Sequence, residues 1–201
     1  LEFRRVLFRS ALSLAKVIEK MKSFEHLEFF QNGISTEGMK KLFEALKDNK
    51  NLQVLKINDN FTKTSLKDLI EILPGFTKLK IIDISDSITE SNLGNKLGID
   101  LFKALSSIEG LEEIYCNYNE IIDRNSQKEI FEILKKCKNI KIVQLKGNEI
   151  NKTLVKNYEK DLTIEKLECF SDNEEELEEE EEEKEKVDNL TKDIENIDIN
   201  E

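Results

Sequence analysis

The chain has 201 residues, 38% of them hydrophobic, and a net charge of −11 at pH 7, enough for one domain with a real core and a tail. No apolar stretch approaches the roughly 20 residues of a membrane helix, so a soluble protein with no membrane partner is expected. Three cysteines, Cys116, Cys137 and Cys169, are odd in number and lack metal-ligand spacing, which points to reduced thiols, no metal and a cytoplasmic or nuclear setting.

The first residues differ from the rest. Three of the four arginines, Arg4, Arg5 and Arg9, fall within the first nine positions, whereas the body uses lysine almost exclusively. Residues 1–10 are therefore expected to be a non-native leader. An amphipathic helix is predicted over Ala11–Lys22, and the chain is expected to start inside a longer solenoid, N-terminally truncated.

From residue 24 one pattern recurs five times: apolar residues at i, i+3 and i+5, and a polar residue three further on. It reads Phe24/Leu27/Phe29/Asn32, Leu52/Leu55/Ile57/Asn60, Leu79/Ile82/Ile84/Ser87, Leu111/Ile114/Cys116/Asn119 and Ile140/Val143/Leu145/Asn148. The polar positions are separated by 28, 27, 32 and 29 residues. A fixed period of this kind marks a leucine-rich-repeat solenoid, in which each unit hides its apolar face only by stacking on the next. Units of this length hold a full helix after each strand, and apolar faces such as Met39/Leu42/Phe43/Leu46 and Ile130/Phe131/Leu134 supply it. The predicted fold is α/β: about five strand–helix repeats, with a parallel sheet on the concave side and helices outside.

The sharp turn after each strand leaves backbone groups facing the neighbouring repeat. A carboxamide, both donor and acceptor, can satisfy them, so Asn32, Asn60, Asn119 and Asn148 are read as a structural ladder, with Ser87 a partial substitute. Alternation places Glu28 and Phe30, Lys56 and Asn58, Asp83 and Ser85, Tyr115 and Asn117, and Gln144 and Lys146 on the concave face. The loops beyond carry Gln31, Asp59, Asp86, Tyr118 and Glu120. Carboxylates beside tyrosines on a rigid rim suit a basic protein partner.

No catalytic constellation emerges. His26 lacks a second ligand at metal spacing, no Gly-rich phosphate loop occurs, and Arg124 beside Asp123 reads as a surface ion pair; no cofactor is expected. The domain is bounded at 11–170. Residues 171–201 form an acidic tail: from Asp172 on there are 16 acidic residues against three lysines. Such a composition cannot offset its ordering entropy by burial. The tail is expected to be disordered, to repel nucleic acid and to attract basic proteins.

The segments Gln31-Asn32-Gly33-Ile34-Ser35-Thr36-Glu37-Gly38, Ile57-Asn58-Asp59-Asn60-Phe61-Thr62 and Tyr118-Asn119-Glu120-Ile121 resemble the later repeats of the Ran GTPase-activating proteins. Ser171-Asp172-Asn173-Glu174-Glu175-Glu176, opening a glutamate run, is similar to the end of their repeat domain. The resemblance implies a GTPase-activator fragment, not itself an enzyme, that binds the GTP form of a small GTPase of the Ran type and regulates nucleocytoplasmic transport from the cytoplasm, nuclear envelope or nucleus. By matching position it implies Asp59, and Asp86 one repeat later, at the GTPase-facing loops. The expected partner-binding set is Lys56, Asn58, Asp59, Asp86, Tyr115, Tyr118 and Glu120. Two alternatives stand beside it: a generic repeat scaffold, and an acidic leucine-rich nuclear protein that binds histones, whose units are shorter.

Overall fold

The structure is a computed structural model that describes residues 2–21, 23–60, 62–86 and 93–170. Strands and helices alternate: α1 (Glu2–Met21), β1 (His26–Glu28), α2 (Thr36–Leu46), β2 (Val54–Lys56), α3 (Lys63–Ile72), β3 (Ile81–Asp83), α4 (Gly94–Ser106), β4 (Glu113–Tyr115), α5 (Arg124–Leu134), β5 (Ile142–Gln144), α6 (Lys152–Tyr158) and β6 (Lys166–Glu168). A 3-10 turn, Leu73–Gly75, follows α3 where Pro74 ends the helix. The six strands form one parallel sheet in sequence order.

Each strand follows from alternation, and four of the helices open on a side-chain cap. In register across the sheet stand Leu27, Leu55, Ile82, Ile114, Val143 and Leu167, and the central four are fully buried. Ser35, Thr62, Asp123 and Asn151 stop the chain after its strand and open α2, α3, α5 and α6 by accepting an N–H of the first turn. Thr62 and Ser65 form a reciprocal capping box. The helices then turn Met39, Leu42, Phe43, Leu46, Leu66, Leu69, Leu101, Phe102, Leu105, Ile130 and Phe131 onto the back of the sheet, all nearly inaccessible. Each such side chain contributes about 1.5–3 kcal/mol when fully buried, and none could do so in a lone strand–helix unit. Gly38 lets α2 approach the preceding helix: a Cβ there would lie 2.8 Å from Ile34 and 3.1 Å from Ala11.

The five expected strand–helix repeats are present, from β1–α2 to β5–α6, and Ile164, Leu167 and Cys169 add a sixth rung whose strand, β6, is followed in the sequence by Asp172 rather than an asparagine. One expectation needs correction. The first helix extends from Glu2, through the segment read as a leader, rather than beginning at Ala11. Ser87 and the acidic segment 171–201 lie outside the described residues.

Candidate functional site

The turns that end the strands share one backbone design. Residues flanking the asparagines lie in the left-handed region: Gln31 (φ 52°) and Gly33 (φ 58°), Asp59 (φ 54°), Tyr118 (φ 57°) and Glu120 (φ 53°), and Gly147 (φ 67°) and Glu149 (φ 49°). A left-handed residue stands on each side of Asn32, Asn119 and Asn148, and the carboxamides of Asn60, Asn119 and Asn148 reach back to the previous rung. Asn148 Oδ1 accepts the N–H of Asn119 (2.9 Å) and of Ile121 (3.2 Å), while its Nδ2 donates to Cys116 O and Leu145 O, both at 2.9 Å. Asn119 Nδ2 donates to Ile84 O (3.0 Å) and Asn117 O (2.9 Å). Asn60 Oδ1 accepts from Asn32 N–H (2.8 Å), and its Nδ2 donates to Phe29 O and Asn58 O. Asn60, Asn119 and Asn148 are buried; Asn32, on the first rung, is exposed and donates to Phe30 O.

On the sheet the register lines up Glu28, Lys56, Asp83, Tyr115, Gln144 and Glu168 as one lateral row. Lys56 Nζ lies 3.7 Å from Glu28, which also meets the His26 ring at 3.2 Å. The Tyr115 hydroxyl donates to Glu113 (2.7 Å); burial, then that bond, raise its pKa to about 12. Gln144 donates to Glu168. The Lys166 ammonium at 2.9 Å, aided by Lys146, holds Glu168 below the usual carboxylate range. In the next row Asn117 donates to Gln144 Oε1 (3.3 Å) and accepts the Lys146 N–H (2.8 Å). Lys56, Asn58 and Tyr115 are half-buried, and Tyr118 and Glu120 are exposed.

The aspartates fall elsewhere than expected. Asp59 and Asp86 are 8% and 3% exposed, so their carboxyl groups are buried within the turns rather than offered at the rim. Gln31 Nε2 donates to Asp59 across the first two rungs (3.4 Å). Arg124 also departs from its reading: it is the first residue of α5, and Asp123 serves as the cap, accepting the Ser126 N–H and hydroxyl at 2.8 Å each, which lowers its pKa.

Several contributors escaped the sequence. Glu168 closes the sheet row, Glu113 accepts from Tyr115 out of the neighbouring row, and Ile122 (51% exposed) and Glu149 extend the rim. Asn49 is buried and donates to Phe24 O (2.8 Å); Gln127 is buried, donates to Ile121 O (2.8 Å) and accepts the Asn151 N–H (3.0 Å). Their only sequence signal is a polar residue at a position the apolar pattern leaves unassigned.

The three cysteines are free thiols; burial pushes all three pKa values up, that of Cys169 to about 12, so none carries the thiolate a nucleophile requires. Among the described residues no group of three or more His, Cys, Asp or Glu is placed to hold a metal ion, and no helix is long and apolar enough to cross a membrane. On the helix side, α3 and α4 flank a groove of about 670 Å³ lined by Ile70, Leu93 and Leu97 and by charges of both signs, among them Lys67, Glu71 and Asp100. What the sheet side offers is a fixed array of amides, hydroxyls and charges, which is chemistry for recognition.

No protein-family model matches the chain, and no curated protein matches it in sequence. Among solved structures it is similar to the C-terminal domain of tropomodulin from Caenorhabditis elegans, with a TM-score of 0.62 and 11% identity over 77% of this chain and 90% of that one. The fold is a leucine-rich-repeat solenoid. At that identity the likeness shows the fold and nothing finer.

Proposed function

We propose that the chain is a protein-binding scaffold, working through its strand side and the rim of turns beside it, with no chemical step of its own. The observation that carries this reading is the lateral row from Glu28 to Glu168. Six strands hold polar side chains half-exposed at a constant interstrand spacing, on a surface whose backbone is already satisfied. Such pre-organisation lowers the ordering cost of binding.

As partner we propose a small GTPase of the Ran type in its GTP form, on the strength of the turn segments around Asn32, Asn60 and Asn119. In this reading the chain supplies contact area, and GTP hydrolysis remains the chemistry of the GTPase. Lys56, Asn58, Tyr115, Tyr118 and Glu120 are the contact residues; Asp59 and Asp86 act by holding the turns. Isothermal titration of the full chain with Ran loaded with a non-hydrolysable GTP analogue, and separately with GDP, tests the pairing. Saturable heat with the GTP form, weakened by Tyr115→Ala at unchanged melting temperature, is the expected result. No heat with either form removes Ran as the partner.

A further inference from the structure

Five large hydrophobic side chains are well exposed among the described residues: Val17, Met21, Phe30, Tyr118 and Ile122. The first three lie on α1 and just after β1, at the end of the sheet and helix layers. Tyr118 and Ile122 do not have that explanation. They share the loop between β4 and α5, in the middle of the solenoid, with a rung on each side, and are still 46% and 51% exposed. An apolar pair displayed where neighbours could have covered it marks a surface for another molecule.

The backbone holds Tyr118 in place at some cost. A bulky residue in the left-handed region is destabilised where glycine would not be, yet Tyr118 sits at φ 57°. Its ring occupies the space beside Gly147 on the next rung, where an added Cβ would come within 2.2 Å of Cδ1. The glycine thus fixes the ring from one side and the Asn119–Asn148 hydrogen bond fixes its turn. A ring held this way loses little further freedom on binding, which is the property of an interface anchor.

Charge selects the occupant. Glu120 on the same turn and Glu149, its counterpart on the next rung, are both exposed. We infer that Tyr118 and Ile122 anchor a segment of a partner protein that carries an aliphatic or aromatic side chain next to an arginine or lysine. The apolar group packs on the tyrosine–isoleucine pair, and the cation lies against the ring and the two glutamates. This inference rests on the scaffold reading and locates its strongest contact on the rim rather than the sheet.

The test selects displayed random peptides, about a dozen residues long, on the immobilised full chain, which is a fair probe for short-segment recognition. Enriched peptides are then titrated against variants. The expected winners pair Leu, Ile or Phe with Arg or Lys. Tyr118→Asn, which tolerates the same backbone conformation, and Ile122→Ser should each weaken them about tenfold. Glu149→Lys should weaken them and relax the preference for a basic residue, with melting temperatures unchanged. Winners that lose affinity only with Lys56→Ala or Gln144→Ala on the sheet overturn the rim anchor and leave the scaffold reading standing. Winners without a basic residue also overturn it. Winners indifferent to all these changes, or no enrichment at all, overturn both.

Discussion

Asn148 and Asn32 occupy the same position of the same motif, yet their surroundings make them different residues. Asn148 is fully buried, its oxygen receiving two backbone N–H groups and its nitrogen serving carbonyls on its own and the previous rung. Asn32, on the first described rung, is exposed and bonds its own turn at Phe30 O. A ladder residue derives its value from the rung before it, so the motif alone does not measure the stabilisation. Free energy per asparagine should rise from the edge of the sheet into its middle.

Substitution breaks or sharpens that contrast. Asn148→Ala strands two N–H groups and two carbonyls in a site closed to water and should cost about 3 kcal/mol, an apparent fall of about 10 °C in Tm. Asn32→Ala should stay within about 0.5 kcal/mol; equal losses in chemical denaturation would contradict the contrast.

Next in size is Gly147→Ala, which forces a side chain into φ 67° and against the Tyr118 ring and should cost about 2 kcal/mol. Part of that cost is the ring. In a Tyr118→Asn background the same change should be cheaper, and a double-mutant cycle reads the difference; strict additivity would mean the ring does not rest on Gly147.

The smallest effect is electrostatic. Glu168, lowered chiefly by its bond from Lys166, and Asp123, lowered chiefly by the Ser126 N–H, both have folded-state pKa values below their unfolded ones. Their stabilisation is therefore fully present above about pH 4, the unfolded carboxylate range, and is lost as pH falls through the folded values. Thermal melts between pH 7 and pH 3 should show a shallower acid decline for Glu168→Gln than for the unchanged protein.

Much of the fold was legible because its two periods are written in apolar residues. Leu55, Ile82, Ile114 and Val143 mark strands, and Met39/Leu42/Phe43/Leu46 marks a helix face. β6 was missed because Ile164/Leu167/Cys169 is followed at the ladder position by Asp172 rather than an asparagine, where the acidic tail opens. The candidate site was less legible. Residue alternation put Lys56 and Tyr115 on the open face, but it holds only within a strand. Asp59 lies beyond the strand in a left-handed turn, which redirects its carboxyl inward. Glu149 and Gly147 gain their meaning from residues 29 positions earlier, Glu120 and Tyr118, a relation visible only once the rungs are stacked.

Hydrogen exchange of the Asn119 and Ile121 backbone amides tests the ladder most directly, since both donate to the single oxygen of Asn148. In the unchanged protein these two amides should exchange only as slowly as global unfolding permits, and far faster in Asn148→Ala, while the amides inside α2 keep their protection. Rapid exchange of both in the unchanged protein, at the rate of an open loop, would contradict a solenoid held together by its asparagines.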